Sequence, residues 1–155
     1  TEFFHQFSAC QFILVSPLLR NRKVNSFRTL SVGISLEATN SMEVPGSELG
    51  EMWKLVPISK VLAQVSTEVY SFLIIDLEGG EWDVFDAILS TQELERVHYL
   101  GFWLRLWYGE ECENFRRFLS YFLRLEKKGF FKISTIKENE STFQVVYKNN
   151  ARFED

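Results

Sequence analysis

Cysteine, histidine and proline are scarce in this 155-residue chain, at two, two and three residues. Cys10 and Cys112 cannot build the disulfide framework that staples small secreted domains. Cys10 has no base near it in sequence, which suits a buried thiol better than a nucleophile. His5 and His98 stand in no ligand spacing, so a histidine-based metal site finds little support. No run approaches the ~18 to 20 apolar residues that a membrane-spanning helix requires. The start of the chain, interrupted by Glu2, His5 and Gln6, does not read as a signal peptide. Positive charge is not in surplus either: 17 Lys and Arg stand against 21 Asp and Glu, for a net charge of −4. That balance removes the electrostatic reason to expect nucleic-acid binding. Glycine is thin over the first half, where Gly33, Gly46 and Gly50 form no G-x-G-x-x-G pattern.

What is abundant is aromatic. Fifteen phenylalanines and four tryptophans accompany a hydrophobic fraction of 46% and a charged fraction of 25%, a globular composition long enough for one domain with a real core. So many aromatics imply either an aromatic core or a surface that a protein partner or oligomer covers. Periodicity predicts strands at Phe12 to Val15, Thr29 to Ile34, Tyr70 to Asp76, His98 to Leu106, Phe131 to Ile136 and Phe143 to Lys148. Helices are expected at Pro57 to Val65, Glu81 to Leu89 and Glu113 to Lys128, the first opened by a proline whose missing N–H is not needed there. On the last helix Phe115, Phe118, Leu119, Phe122 and Leu125 form an apolar stripe, and Gly129 reads as its C-cap. Ala38 to Glu51, polar and holding Pro45 and two glycines, reads as a loop. Strands separated by helices, then two closing strands, predict an α/β sheet with an antiparallel edge.

The junction YSFLIIDLEGGEWDVFDAIL, Tyr70 to Leu89, carries the chemistry. A nearly continuous apolar run suits a strand covered on both faces. It ends at Asp76, turns at Gly79 and Gly80, and gives way to Trp82, Phe85, Ile88 and Leu89 at helical spacing. Ligand crevices in open parallel sheets lie outside the carboxyl ends of the strands, so Asp76, Glu78 and Glu81 are the candidate catalytic residues, placed to orient or deprotonate a hydroxyl. The plainer reading is that Asp76 caps the turn and Glu81 opens the helix in favourable alignment with its dipole. Trp103, Trp107 and Tyr108 fit core packing better than a substrate wall.

IDLEGGEWDVF resembles the (I/V)D(I/V/L)EGxE signature of FkbM-type methyltransferases, especially the methyltransferase-like protein twenty-four group. WKLVPISKVL (Trp53 to Leu62), the strand within Val97 to Trp107, and TFQVVYKN (Thr142 to Asn149) are similar to the family's flanking segments in the same order. The resemblance implies an α/β fold, an incomplete class I (Rossmann-like) methyltransferase sheet with helices on both faces and an antiparallel C-terminal edge. Residues 1–155 would be a single methyltransferase-like domain lacking the N-terminal cofactor-binding strand and glycine-rich loop. S-adenosylmethionine is the implied cofactor, with Ser16 at the end of CQFILVSP where the family places a ribose-binding acid. Trp103 and Arg105 stand where the family usually has Glu and His.

Two functional readings follow. One is S-adenosylmethionine-dependent O-methyl transfer to a small molecule or sugar, with Asp76, Glu78 and Glu81 lining the acceptor side. The other is a catalytically dead interaction or structural domain derived from a methyltransferase, which Ser16, Trp103 and Arg105 favour. No metal is implied, and neither a nucleic acid nor a membrane is expected as a partner.

Overall fold

A computed structural model describes residues 13–16, 28–35, 42–43, 52–65, 69–77, 80–106 and 109–152. The chain divides into two units, Thr1–Pro57 and Ile58–Asp155. In the first, strands β1 (Ile13–Val15) and β2 (Arg28–Leu30) pair in parallel, as do β3 (Gly33–Ser35) and β6 (Leu55–Pro57), while β4 (Met42–Glu43) and β5 (Met52–Trp53) pair antiparallel. The expected strand Thr29 to Ile34 is therefore two strands with different partners, broken at Ser31 and Val32. The expected loop Ala38 to Glu51 contributes β4 to a short ladder. Pro57 closes β6 rather than opening the next helix, and Ile58 takes the first helical position.

The second unit begins with α1 (Ile58–Gln64) and holds a four-stranded sheet in the order β7 (Tyr70–Ile75), β8 (Val97–Arg105), β10 (Thr142–Asn149), β9 (Phe130–Lys137). β7 and β8 are parallel, and β10 runs antiparallel to both of its neighbours. The result is a mixed α/β sheet with the antiparallel edge that two closing strands imply. Helix α2 (Glu81–Ser90) makes the β7 to β8 crossover with a 3₁₀ turn at Gln92–Arg96, and α3 (Cys112–Lys127) connects β8 to β9.

Parity along the strands decides the core. Ile75 lies opposite Phe102, and Leu73 opposite Leu100; across β8, Val145 and Tyr147 face the same two residues. Alternation puts all of them on one face of the sheet, and α2 and α3 pack on that face. Phe85 meets Phe102 edge-on at 5.0 Å, and Phe122 stacks over Phe102 at 6.4 Å. Between the helices Trp82 stacks on Phe118 at 3.6 Å and Phe85 on Tyr121 at 5.2 Å. Phe85, Phe102, Ile88, Leu89, Leu100 and Leu125 are essentially inaccessible to solvent. Burying each such side chain contributes about 1.5 to 3 kcal/mol, so this aromatic layer is the main stabilising element of the unit.

Two expectations about burial need correction. β7 is covered on one face only: Phe72 and Ile74, on the face away from α2 and α3, are 61% and 63% exposed. On α3 the buried residues are Phe118, Tyr121 and Leu125, while Phe115 and Leu119 of the expected stripe are exposed. Tyr121 displaces them because its ring stacks on Phe85 while its hydroxyl reaches the carboxylate of Asp86 at 3.0 Å. The C-cap reading of Gly129 agrees with the structure: its φ is +88° and its N–H donates to the carbonyl of Glu126. No helix among the described residues is long and apolar enough to cross a membrane.

Candidate functional site

β7 ends at Ile75, and Asp76 follows it with its carboxylate half-exposed. The chain then turns through Leu77 to Gly80, whose N–H donates to the Leu77 carbonyl at 3.0 Å. Gly80 has an ordinary φ of −75°; what it supplies is space, since a Cβ there would lie 3.3 Å from the Leu77 oxygen. Gly80 also holds the N-cap position of α2 without a side-chain cap, so the expected capping role of Asp76 is not what the structure shows.

Both acids instead converge on a cation from the neighbouring strand. Arg105, the last residue of β8, donates from one terminal nitrogen to Asp76 Oδ1 and to Glu81 Oε1, each at 2.9 Å. Charge-assisted bonds of this kind are about twice as strong as neutral ones. The backbone of the same residue is held too, because its carbonyl accepts the indole N–H of Trp82 at 2.8 Å. The carboxyl ends of two adjacent parallel strands and the first turn of α2 are thus tied together through one residue.

The two carboxylates differ in environment. Glu81 is completely buried, and its Oε1 also accepts the Leu77 N–H at 2.8 Å, closing the turn from within. A buried charge persists only when paired and hydrogen-bonded, and Glu81 satisfies both conditions. Asp76 is 41% exposed and presents a carboxylate edge to solvent. Glu78, the third acid, lies outside the described residues, as do Trp107 and Tyr108. Trp103, expected in the core, instead lies half-buried on the opposite face of the sheet from Phe102 and Leu104 and donates its indole N–H to Glu138 at 2.8 Å. No group of three or more His, Cys, Asp or Glu residues suited to a metal occurs among the described residues.

Ser16 sits in the first unit, one residue beyond β1, where its N–H donates to the Leu30 carbonyl at 3.1 Å. Its hydroxyl brings no charge to the place where the family resemblance implies a carboxylate. The described residues include no glycine-rich turn that would let backbone amides approach a cofactor closely. Among the described residues, Ser16 and the turn at Gly80 do not by themselves make up a donor set for S-adenosylmethionine.

Sequence reading found Asp76 and Glu81 but not the importance of Arg105, which stood out only as a departure from the family pattern. The signal was in the topology. In a parallel pair the residue ending the second strand lies beside the acids that end the first, and an arginine there faces two carboxylates.

No family model matches the chain, and no curated protein matches it. Among solved structures it is similar to the METTL16 methyltransferase domain, at 14% identity and a TM-score of 0.43, over 94% of this chain. The chain spans 62% of the length of that neighbour.

Proposed function

We propose that this chain is a methyltransferase-like domain of the FkbM type, descended from enzymes that move a methyl group from S-adenosylmethionine to an oxygen of a small molecule or sugar. The observation that carries the reading is the acid-glycine turn itself. β7 ends in Asp76, α2 opens at Glu81, and both acids are fixed at the carboxyl ends of parallel strands, where α/β proteins place their sites. Asp76, the accessible member, would accept a hydrogen bond from an acceptor hydroxyl and orient its oxygen. Glu81, inaccessible and doubly engaged, would be a positioning residue that holds Arg105 and the turn. Glu78 is assigned to the acceptor side by the resemblance alone. Ser16 would lie at the ribose position, where it supplies at most a neutral hydrogen bond.

A second reading, a catalytically inactive interaction or structural domain, is favoured by one specific feature. Arg105 already bonds both acids, so the carboxylates that would orient an acceptor hydroxyl are engaged within the domain.

Calorimetric titration of the folded chain with S-adenosylmethionine and S-adenosylhomocysteine separates the two. Micromolar binding supports the first reading, and Asp76→Asn and Glu78→Gln are then expected to lower turnover while circular dichroism stays unchanged. A folded chain that binds neither compound overturns methyl transfer by this chain and leaves the second.

A further inference from the structure

The turn between β9 and β10 holds a motif that the candidate site does not use. Asn139-Glu140-Ser141 is an N-x-S/T triplet with no proline at its centre, and no second such triplet occurs in the 155 residues. N-linked glycosylation needs that triplet in an accessible loop. We propose that Asn139 is an acceptor for an N-linked oligosaccharide.

β9 ends at Lys137 and β10 starts at Thr142, so the triplet forms the tip of the hairpin, with Glu138, Asn139 and Glu140 all exposed. The ladder closes behind the tip, where the N–H of Glu138 donates to the Thr142 carbonyl at 3.0 Å and the Ser141 carbonyl accepts the Leu106 N–H at 2.8 Å. A group added to the Asn139 side chain therefore displaces no packed residue and interrupts no strand pairing.

The Asn139 amide is engaged at its oxygen and open at its nitrogen. Oδ1 accepts the Ser141 N–H at 2.9 Å and the Ser141 hydroxyl at 3.2 Å, while Nδ2 makes no hydrogen bond among the described residues. An amide nitrogen is a poor nucleophile because its lone pair is delocalised into the carbonyl. Loss of a proton from Nδ2 places charge on Oδ1, and two donors already aimed at that oxygen stabilise it. The plainer role of Asn139, shaping the turn, uses Oδ1 alone and would be met equally by aspartate.

In the transfer, Nδ2 attacks the anomeric carbon of an oligosaccharide carried on a lipid pyrophosphate. The nitrogen–carbon bond forms, the bond from that carbon to the pyrophosphate oxygen breaks, one Nδ2 proton passes to a base, and the lipid pyrophosphate leaves. The reaction belongs to the lumen of the secretory pathway, so it requires a leader that brings the chain there.

Expression of the 155-residue chain behind a cleavable secretion leader in cultured animal cells, with cells and medium analysed together, tests the assignment. Part of the chain is expected to migrate above 18.2 kDa and to return to that mass on digestion with peptide N-glycosidase, which leaves aspartate at position 139 in the tryptic peptide Glu138 to Lys148. Asn139→Asp, which keeps the oxygen that shapes the turn, and Ser141→Ala are expected to stay unmodified. Ser141→Thr is expected to remain modified, with circular dichroism unchanged in all three. A folded chain whose Asn139 is wholly unmodified, or a glycosidase-sensitive shift that survives Asn139→Asp or Ser141→Ala, would overturn the proposal.

Discussion

Replacing Arg105 by methionine should be among the most damaging single changes in the second unit, and the cost follows from the burial of Glu81. The substitution keeps an aliphatic stem of similar length but removes the cation from a carboxylate with no solvent access. Breaking a buried ion pair by deleting one partner costs about 3 to 5 kcal/mol, because the survivor is left charged in a poorly solvating environment. The Leu77 N–H remains bonded to Glu81, which places the expectation near the lower end, at about 3 kcal/mol. With a urea dependence of about 2 kcal/mol per M, the unfolding midpoint should fall by roughly 1.5 M. Asp76→Asn removes the other, half-exposed partner of the same guanidinium and should cost less than about 1 kcal/mol. Removing both buried charges in Arg105→Met with Glu81→Leu should recover part of the loss, because the Leu77 N–H then lacks this acceptor. Urea titrations at pH 7, followed by tryptophan fluorescence and far-ultraviolet circular dichroism, give all three values. If Arg105→Met costs no more than Asp76→Asn, the buried pair is not what holds the turn.

Gly129→Ala would place a Cβ 2.3 Å from the Cβ of Ala151 at a residue whose φ is +88°, and should cost about 2 to 4 kcal/mol through strain and overlap together. Adding Ala151→Gly should return only the overlap part; full recovery would show that the backbone conformation carries no strain. Burial pushes the Tyr147 phenol up to about 12, with the nearby Glu126 carboxylate adding to the shift. A folded-state value above the unfolded one means the contribution is intact below about pH 10 and is lost as pH rises from there toward 12, by about 2 to 3 kcal/mol in all. Urea midpoints at pH 9 and pH 11.5 should therefore fall more steeply for the natural chain than for Tyr147→Phe, and equal slopes would count against the assignment.

The elements of the second unit were readable where the hydrophobic period was strong. The expected strands at Tyr70, His98, Phe131 and Phe143, and the helices at Glu81 and Glu113, differ from the observed ones by a residue or two at each end. The failures have physical causes. Thr29 to Ile34 is uniformly β-prone, and no local feature shows that Arg28–Leu30 and Gly33–Ser35 have different partners. On α3 the apolar residues exceed one face, so periodicity alone could not say which of Phe115, Phe118 and Tyr121 turns inward; ring stacking on α2 decides it. Of the candidate site, the acids were legible as types at a strand end. Their pairing was not, because Arg105 lies far from Asp76 in sequence and meets it only through the β7 to β8 register.

The position of β10 between β8 and β9 has a kinetic consequence. β9 and β10 form a hairpin joined by a short turn and can zip locally at little loop-closure cost. β7, α2 and β8 make a second contiguous unit, whose parallel pairing closes over a longer stretch of chain than the hairpin does. Every remaining sheet contact between these two pieces is made by β10 along β8. Assembly therefore reduces to one docking event between two preformed parts, with the antiparallel register from Thr142 to Lys148 as its barrier. Substitutions along that seam should slow folding more than those in either part, as expected for contacts of high sequence separation.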